Sequence, residues 1–126
     1  FKVIGDFQGQ SYSKHAMFKR VNKRLHWLPV KERINFKINL LTFKSLAGKA
    51  PQYLSDLLTP HQARRARCQD PALLVVPKYK CETFGGRSFS IIAPQLWNKL
   101  PLDIRTSMST DSFKRSLKTH LFSNVY

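Results

Sequence analysis

Hydrophobic positions along this chain fall into short periodic runs separated by prolines, glycines and basic clusters. The clearest run extends from Lys31 to Gly48. Ile34, Ile38 and Leu41, and beside them Phe36, Leu40, Phe43 and Ala47, recur at helical spacing and read as two adjacent rows, a broad apolar face suited to burial. Arg33, Lys37 and Lys44 are assigned to the opposite side. Pro29 pushes Leu28 towards an extended conformation and marks the boundary ahead of this helix, and Gly48 can stop it. Pro51 opens a second, short helix through Leu58, ended before Pro60. Near the end of the chain Phe113, Leu117 and Leu121 repeat every four residues, with Lys114, Arg115 and Lys118 pointing away. Ser109 or Thr110 can cap this last helix, and Asp111 in its first turn complements the helix dipole.

The middle of the chain is less regular. Residues 59–71 hold prolines and the Arg64-Arg65-x-Arg67 cluster with little apolar content, which reads as a loop. Ala72 to Val76 is an aliphatic, β-branched run closed by Pro77, and Tyr79 to Phe84 is a second extended piece. The two are read as a small hairpin, although no Asn-Gly type turn supports the pairing. Gly85-Gly86 breaks the chain. A helical turn then begins near Arg87 to Ile92, Pro94 interrupts it, and a further turn runs from Gln95 to Leu100 before Pro101. At the start, Met17, Phe18, Val21 and Leu25 predict a short helix near 14–25 within an otherwise loop-like, basic arm. The expected fold is mainly α with a small β-hairpin (α+β), a compact helical domain over residues 25–123. A poorly ordered or divergent basic segment, residues 1–24, precedes it.

Composition sharpens this picture. A 126-residue chain with 42% hydrophobic residues and nine Phe can bury a small core. Its charge is lopsided: 22 Lys plus Arg against 7 Asp plus Glu, a net +15 and a pI near 10.4. Such a balance favours polyanionic partners, nucleic acid before anionic membrane. No apolar run approaches the ~20 residues a membrane span needs, so no membrane partner is expected. No secretory leader is evident, and the absence of an initiating Met fits a segment excised from something longer. Cys68 and Cys81 alone do not suggest a disulfide framework, so an intracellular setting, nucleus or cytoplasm, is the simpler expectation.

Several blocks carry a resemblance. They are Leu25-His26-Trp27-Leu28-Pro29-Val30-Lys31-x-Arg33-Ile34, with Phe36-Lys37-Ile38 and Leu41-Thr42-Phe43-Lys44-Ser45-Leu46 after it; Ala50-Pro51-Gln52-Tyr53-Leu54-Ser55-Asp56-Leu57-Leu58; Leu74-Val75-Val76-Pro77 with Thr83-Phe84-Gly85-x-Arg87-x-Phe89-Ser90; Ala93-Pro94-x-Leu96-Trp97-Asn98-x-Leu100-Pro101, then Ile104-Arg105; and Ser112-Phe113-Lys114 with Leu117-Lys118-Thr119-His120-Leu121-Phe122. In this order and spacing they resemble the C-terminal region, downstream of the polymerase core, of jockey-like and chicken-repeat-like LINE (non-LTR) retrotransposon reverse transcriptases. Residues 1–24 and 61–70 depart from that pattern. The resemblance implies a parent polyprotein with RNA-directed DNA polymerase activity, and its reverse transcriptase core as a partner.

That activity does not transfer to this chain. The polymerase reaction needs paired aspartates holding two metal ions, whereas Asp6, Asp56, Asp70, Asp103 and Asp111 are isolated. A non-catalytic role without a cofactor is expected. The candidate phosphate contacts are Arg64, Arg65 and Arg67, then Lys78, Lys80 and Arg87, a strip suited to template RNA, an RNA–DNA hybrid or target DNA. Lys114, Arg115 and Lys118 form a second strip, which also reads as the ordinary polar face of an amphipathic helix. Tyr79 between lysines can stack on a base or pack on the core. Trp27, Phe36, Phe43, Trp97 and Phe113 are read as structural anchors, with nucleobase stacking the rival role for the tryptophans. His26 is read as a packed histidine. Zinc is not indicated, because neither a Cys-x-x-Cys nor a His-x(3–5)-His pair is present. Rival readings are a scaffold that packs on the polymerase, and a translated relic without a function of its own.

Overall fold

The computed structural model describes residues 14–61, 72–80 and 85–126. Six α-helices follow in order: α1 (Lys14–Arg24), α2 (Val30–Leu46), α3 (Gln52–Asp56), α4 (Phe89–Asn98), α5 (Leu102–Arg105) and α6 (Thr110–Val125), with a 3-10 turn at Gly85–Arg87. The fold is mainly helical, and no strand forms among the described residues.

Helix α2 is the centre of the assembly, with α4, α6 and α3 packed against it. Phe43 of α2 stacks on Phe113 of α6 with ring centroids 4.3 Å apart, and Trp97 of α4 lies 5.8 Å from the same ring. Around these aromatics Leu28, Leu58, Leu74, Ala93, Leu100, Ile104, Leu117 and Leu121 close a single core, with Phe36, Ile38 and Leu40 partly buried against it. The apolar rows expected along α2 are not adjacent. At 100° per residue, Ile34 and Leu41 lie on the far side of the helix from Phe43, while Ile38 turns back beside the buried Thr42 and Ser45. Ile34 and Leu41 accordingly remain exposed, while Asn39, Thr42 and Ser45 are buried instead. Thr42 and Ser45 satisfy their hydroxyls on the carbonyls four residues back, at 2.8 and 2.7 Å, so their burial leaves no polar group orphaned.

Proline starts three of the helices in the same way. Pro29, Pro51 and Pro101 occupy the N-cap positions of α2, α3 and α5, none with a side-chain cap. A proline in this place fixes φ without sacrificing a ladder hydrogen bond. At two of these starts an arginine five residues beyond the preceding leucine returns to it. Arg33 Nε donates to the Leu28 carbonyl at 2.7 Å, and Arg105 Nε to the Leu100 carbonyl at 3.1 Å. The sequence Leu-Pro-x-x-x-Arg is thus a local helix-start device used twice. Ser109 caps α6 by accepting from the Ser112 amide at 3.2 Å.

The helix ends are also conventional. Gly48 adopts φ 70°, its amide donates to the Ser45 carbonyl, and the Lys49 amide donates to the Lys44 carbonyl. This left-handed cap satisfies the last carbonyls of α2. Helix α1 ends by the same geometry at a non-glycine residue. His26 has φ 51°, with the His26 amide on Lys23 and the Trp27 amide on Asn22 at 2.8 Å.

Two further expectations are corrected. The hairpin between 72–76 and 79–84 is absent among the described residues; positions 81–84 lie outside them. Leu74 instead bridges antiparallel to Pro60, with His61 N–H on the Leu73 carbonyl and Val75 N–H on the Thr59 carbonyl. Its other backbone edge is taken by a side chain: Leu74 N–H donates to Asn98 Oδ1 at 2.9 Å, and Asn98 Nδ2 donates to the Leu74 carbonyl at 2.8 Å. Trp97 Nε1 adds a bond to the Ala72 carbonyl at 2.7 Å. Paired from both sides, the segment has no need of a local strand partner. The second correction concerns Pro94, which lies inside the single helix α4 rather than between separate turns. Its buried ring fills the core, offsetting the hydrogen bond it removes.

Candidate nucleic-acid interface

Exposed basic side chains lie on α1, α2, α6, the 3-10 turn and the extended segment; α3 and α4 carry none, and Arg105 of α5 is buried. Lys19, Lys23 and Arg24 extend along α1, Lys31 and Lys37 along α2, and Arg115 and Lys118 along α6. Lys78 and Lys80, on the extended segment, and Arg87, in the 3-10 turn, are exposed as well. The acidic residues among the described ones are Glu32, Asp56, Asp103 and Asp111. Several of these are already engaged: Asn35 donates to Glu32, Gln52 to Asp56, and Lys114 pairs with Asp111 at 3.7 Å. Lys114 therefore belongs to a pair within its own helix, whereas Arg115 and Lys118 face outward. Arg64, Arg65 and Arg67 lie outside the described residues.

Tyr79 leans on the 3-10 turn and remains 39% exposed. Its ring lies over the 3-10 turn so closely that a Cβ on Gly86 would meet Cε2 at 3.1 Å. The side chains named as anchors divide. Phe43, Trp97 and Phe113 are buried, and Phe36 is half-buried against the core. Trp27 is no anchor: it is 54% exposed, while its neighbour Leu28 is buried at 7%. The physical reason is local. Between the left-handed cap at His26 and Pro29 the chain is irregular, and consecutive side chains leave in different directions. Leu28 takes the core and Trp27 takes the surface.

Trp27 opens onto a cleft of about 460 Å³ lined by His26, Trp27, Leu28, Arg33, Phe36 and Lys118. The guanidinium carbon of Arg33 lies 5.7 Å from the Trp27 ring centroid, a cation–π distance. A second hollow of about 310 Å³ shares His26 and Lys118 with the first and is completed by Thr119, Phe122 and Ser123. The backbone beneath is pinned. Tyr126 Oη donates to the Trp27 carbonyl at 3.3 Å and Arg33 Nε holds the Leu28 carbonyl. His26 leans on Phe122 with centroids 5.5 Å apart, and Phe122 on Tyr126 at 4.7 Å. His26 is thus exposed and seated on an aromatic pair, not enclosed in the core. Sequence reasoning treated Trp27 and Trp97 alike and missed this cleft. Lys118 reaches it from about ninety residues away in the chain, so no local signal joins it to Trp27.

Apolar surface is also left open. Val30, Ile34 and Leu41 form an exposed stripe on α2, and Met17, Phe18 and Val21 are exposed on α1, which packs extensively on no other helix. No helix among the described residues is long and apolar enough to cross a membrane. No cluster of three or more His, Cys, Asp or Glu suited to a metal occurs among them either.

Searched against protein-family models, curated proteins and solved structures, the chain has no match.

Proposed function

We propose that this chain is a non-catalytic C-terminal part of a retrotransposon RNA-directed DNA polymerase that holds template RNA or target DNA through its basic surface. The motif resemblance supplies the parent. The observation that supports the binding role is the exposed Lys and Arg on α1, α2 and α6 and at Lys78, Lys80 and Arg87, which outnumber the acidic side chains among the described residues. Such a field attracts phosphates and releases counterions on contact, which makes affinity fall steeply with salt. For roughly four phosphates contacted, affinity should drop about 100-fold over a fourfold rise in salt.

Fluorescence anisotropy of the chain with a hairpin RNA, an RNA–DNA hybrid and duplex DNA across a salt series tests this. The same series on the combined change Arg64→Ala, Arg65→Ala and Arg67→Ala asks whether the arginine loop contributes. Tight, salt-sensitive binding that weakens in the triple variant supports the reading. Weak binding that ignores both salt and the loop counts against it.

A second reading has its own support. The stripe of Val30, Ile34 and Leu41, with the open face of α1, suits a scaffold that packs on the polymerase core. Changing Ile34 and Leu41 to Lys would abolish that docking while leaving nucleic-acid affinity undiminished. Under the first reading alone, docking would survive the change.

A further inference from the structure

We propose that the cleft beside Trp27 is a site for one unpaired nucleotide, its base stacked on the indole and its phosphate held by Arg33 and Lys118. This deepens the nucleic-acid reading above and rests on it. The cleft at Trp27, about 460 Å³, falls in the size range of small-ligand sites. Its walls combine the parts a nucleotide requires. Trp27 and Phe36 offer aromatic surface, to which any base can stack irrespective of sequence. Arg33 and Lys118 supply cations, and among the described residues no acidic side chain lines this cleft or the hollow beside it. The Thr119 and Ser123 side chains continue the wall past Lys118, where the next sugar and phosphate of a strand would run.

Preorganisation separates this site from an incidental surface tryptophan. The left-handed turn at His26, the Tyr126 hydroxyl on the Trp27 carbonyl and the Arg33 bond to the Leu28 carbonyl all fix the backbone that presents the indole. An aromatic that is half-exposed on a pinned backbone loses little entropy when a partner stacks on it. The Arg33 guanidinium, within cation–π reach of the ring, can meet a phosphate with its remaining N–H donors. A base inside a duplex has no free face, so the site selects single-stranded, looped or frayed nucleic acid over paired helices.

The test compares a short single-stranded oligonucleotide, in ribose and deoxyribose forms, with a fully paired duplex of similar charge, using the whole chain. Trp27→Leu keeps apolar bulk but removes the stacking face. Affinity for the single strand should fall on the order of 10- to 100-fold, as expected for one lost stacking partner, with duplex affinity and the salt slope unchanged. Trp27→Tyr should recover most of the loss, which a merely structural defect would not allow. Lys118→Gln should weaken single-strand binding and reduce its salt slope by about one contact. In the parent chain the single strand should quench the emission of exposed Trp27, and Trp27→Tyr should remove that quenching, since Trp97 is buried. The two sugar forms show which strand the site accepts; at least one must depend on Trp27. Equal weakening of single strand and duplex by Trp27→Leu, or no weakening of either, overturns the nucleotide site while leaving general nucleic-acid binding intact. No binding of any nucleic acid by the parent chain overturns both.

Discussion

Asn98 holds the extended segment to the helical core, and its removal should be felt throughout the molecule. Its amide faces Leu74 as a strand partner would, accepting from the Leu74 N–H at 2.9 Å and donating to the Leu74 carbonyl at 2.8 Å. Leu74 is only 3% exposed, so Asn98→Ala strands a buried donor and a buried acceptor together. Each unsatisfied group costs about 1–3 kcal/mol. Asn98 itself is only half-buried, so water can recover part of this, and a loss of about 2–3 kcal/mol is expected. For a 126-residue chain the unfolding entropy is roughly 0.26 kcal/mol/K, which converts the loss into a Tm lower by about 8–12 °C. Urea unfolding followed by far-UV circular dichroism measures it, and the m-value should stay unchanged. Asn98→Asp refines the test. It keeps the acceptor for the Leu74 N–H but sets a carboxylate oxygen against the Leu74 carbonyl, so at neutral pH it should be at least as destabilising as Ala. The repulsion raises the folded-state pKa of the introduced carboxyl. Stability is therefore fullest below the unfolded value of about 3.9, where the protonated acid can donate, and is lost as pH rises through the folded value. Lys99→Ala, at the exposed next position, is the control. An Asn98→Ala chain within about 0.5 kcal/mol of the parent, or an Asn98→Asp chain equal to it at neutral pH, would refute the account of how this segment is held.

Other consequences follow from single positions. Gly48→Ala should cost about 1 kcal/mol, because φ 70° is left-handed and nothing within 4 Å would meet the new Cβ. Gly48→Asn should cost less, and equal stability of all three chains in urea would contradict the backbone argument. Asn39 is 2% exposed and its Oδ1 has no hydrogen-bond partner among the described residues. Asn39→Leu keeps the branched outline in a somewhat larger side chain and removes the orphaned oxygen, so it should raise stability by up to about 1 kcal/mol in the same assay, whereas a loss of that size would contradict the expectation.

The elements that the sequence made legible are those whose evidence is local. The four-residue repeat of Phe113, Leu117 and Leu121 predicts the buried face of α6, and all three are buried. Gly48 and Ser109 mark helix ends by chemistry confined to one turn. Failures arise where a distant group decides. Ala72 to Val76 has strand composition, but its partners are Thr59 to His61 and the side chain of Asn98, which no hairpin rule can supply. Pro94 looks like a break because its burial against the core is invisible until α2 is packed on α4. The apolar rows of α2 were misjudged for a simpler reason: Ile34 and Phe43 are nine positions apart, half a turn out of phase at 100° per residue. Of the candidate site, the charge excess is evident from composition, but Trp27, beside Leu28 and near Pro29, reads as a core residue just as Trp97 does. Leu25 is itself half-exposed, and only Leu28 goes inside.

The repeated Leu-Pro-x-x-x-Arg device bears directly on how the cleft should be probed. Arg105 performs the capping role while buried, 8% exposed, with its Nε on the Leu100 carbonyl. That role therefore needs no ligand, and Arg33 would be explained by it alone if nothing else surrounded the side chain. What differs at Arg33 is its setting: an exposed guanidinium over an exposed indole, facing Lys118 across a cleft. One residue then carries a local structural duty and a candidate binding duty through different nitrogen atoms. Arg33→Ala would remove both and report on neither. Trp27 and Lys118 have no comparable part in starting a helix, so changes there separate binding from folding. Any contribution of Arg33 to phosphate contact is best read from Arg33→Lys. The lysine retains the charge and can still reach a carbonyl with one donor, but it cannot bond Leu28 and a phosphate in the fixed fork of a guanidinium.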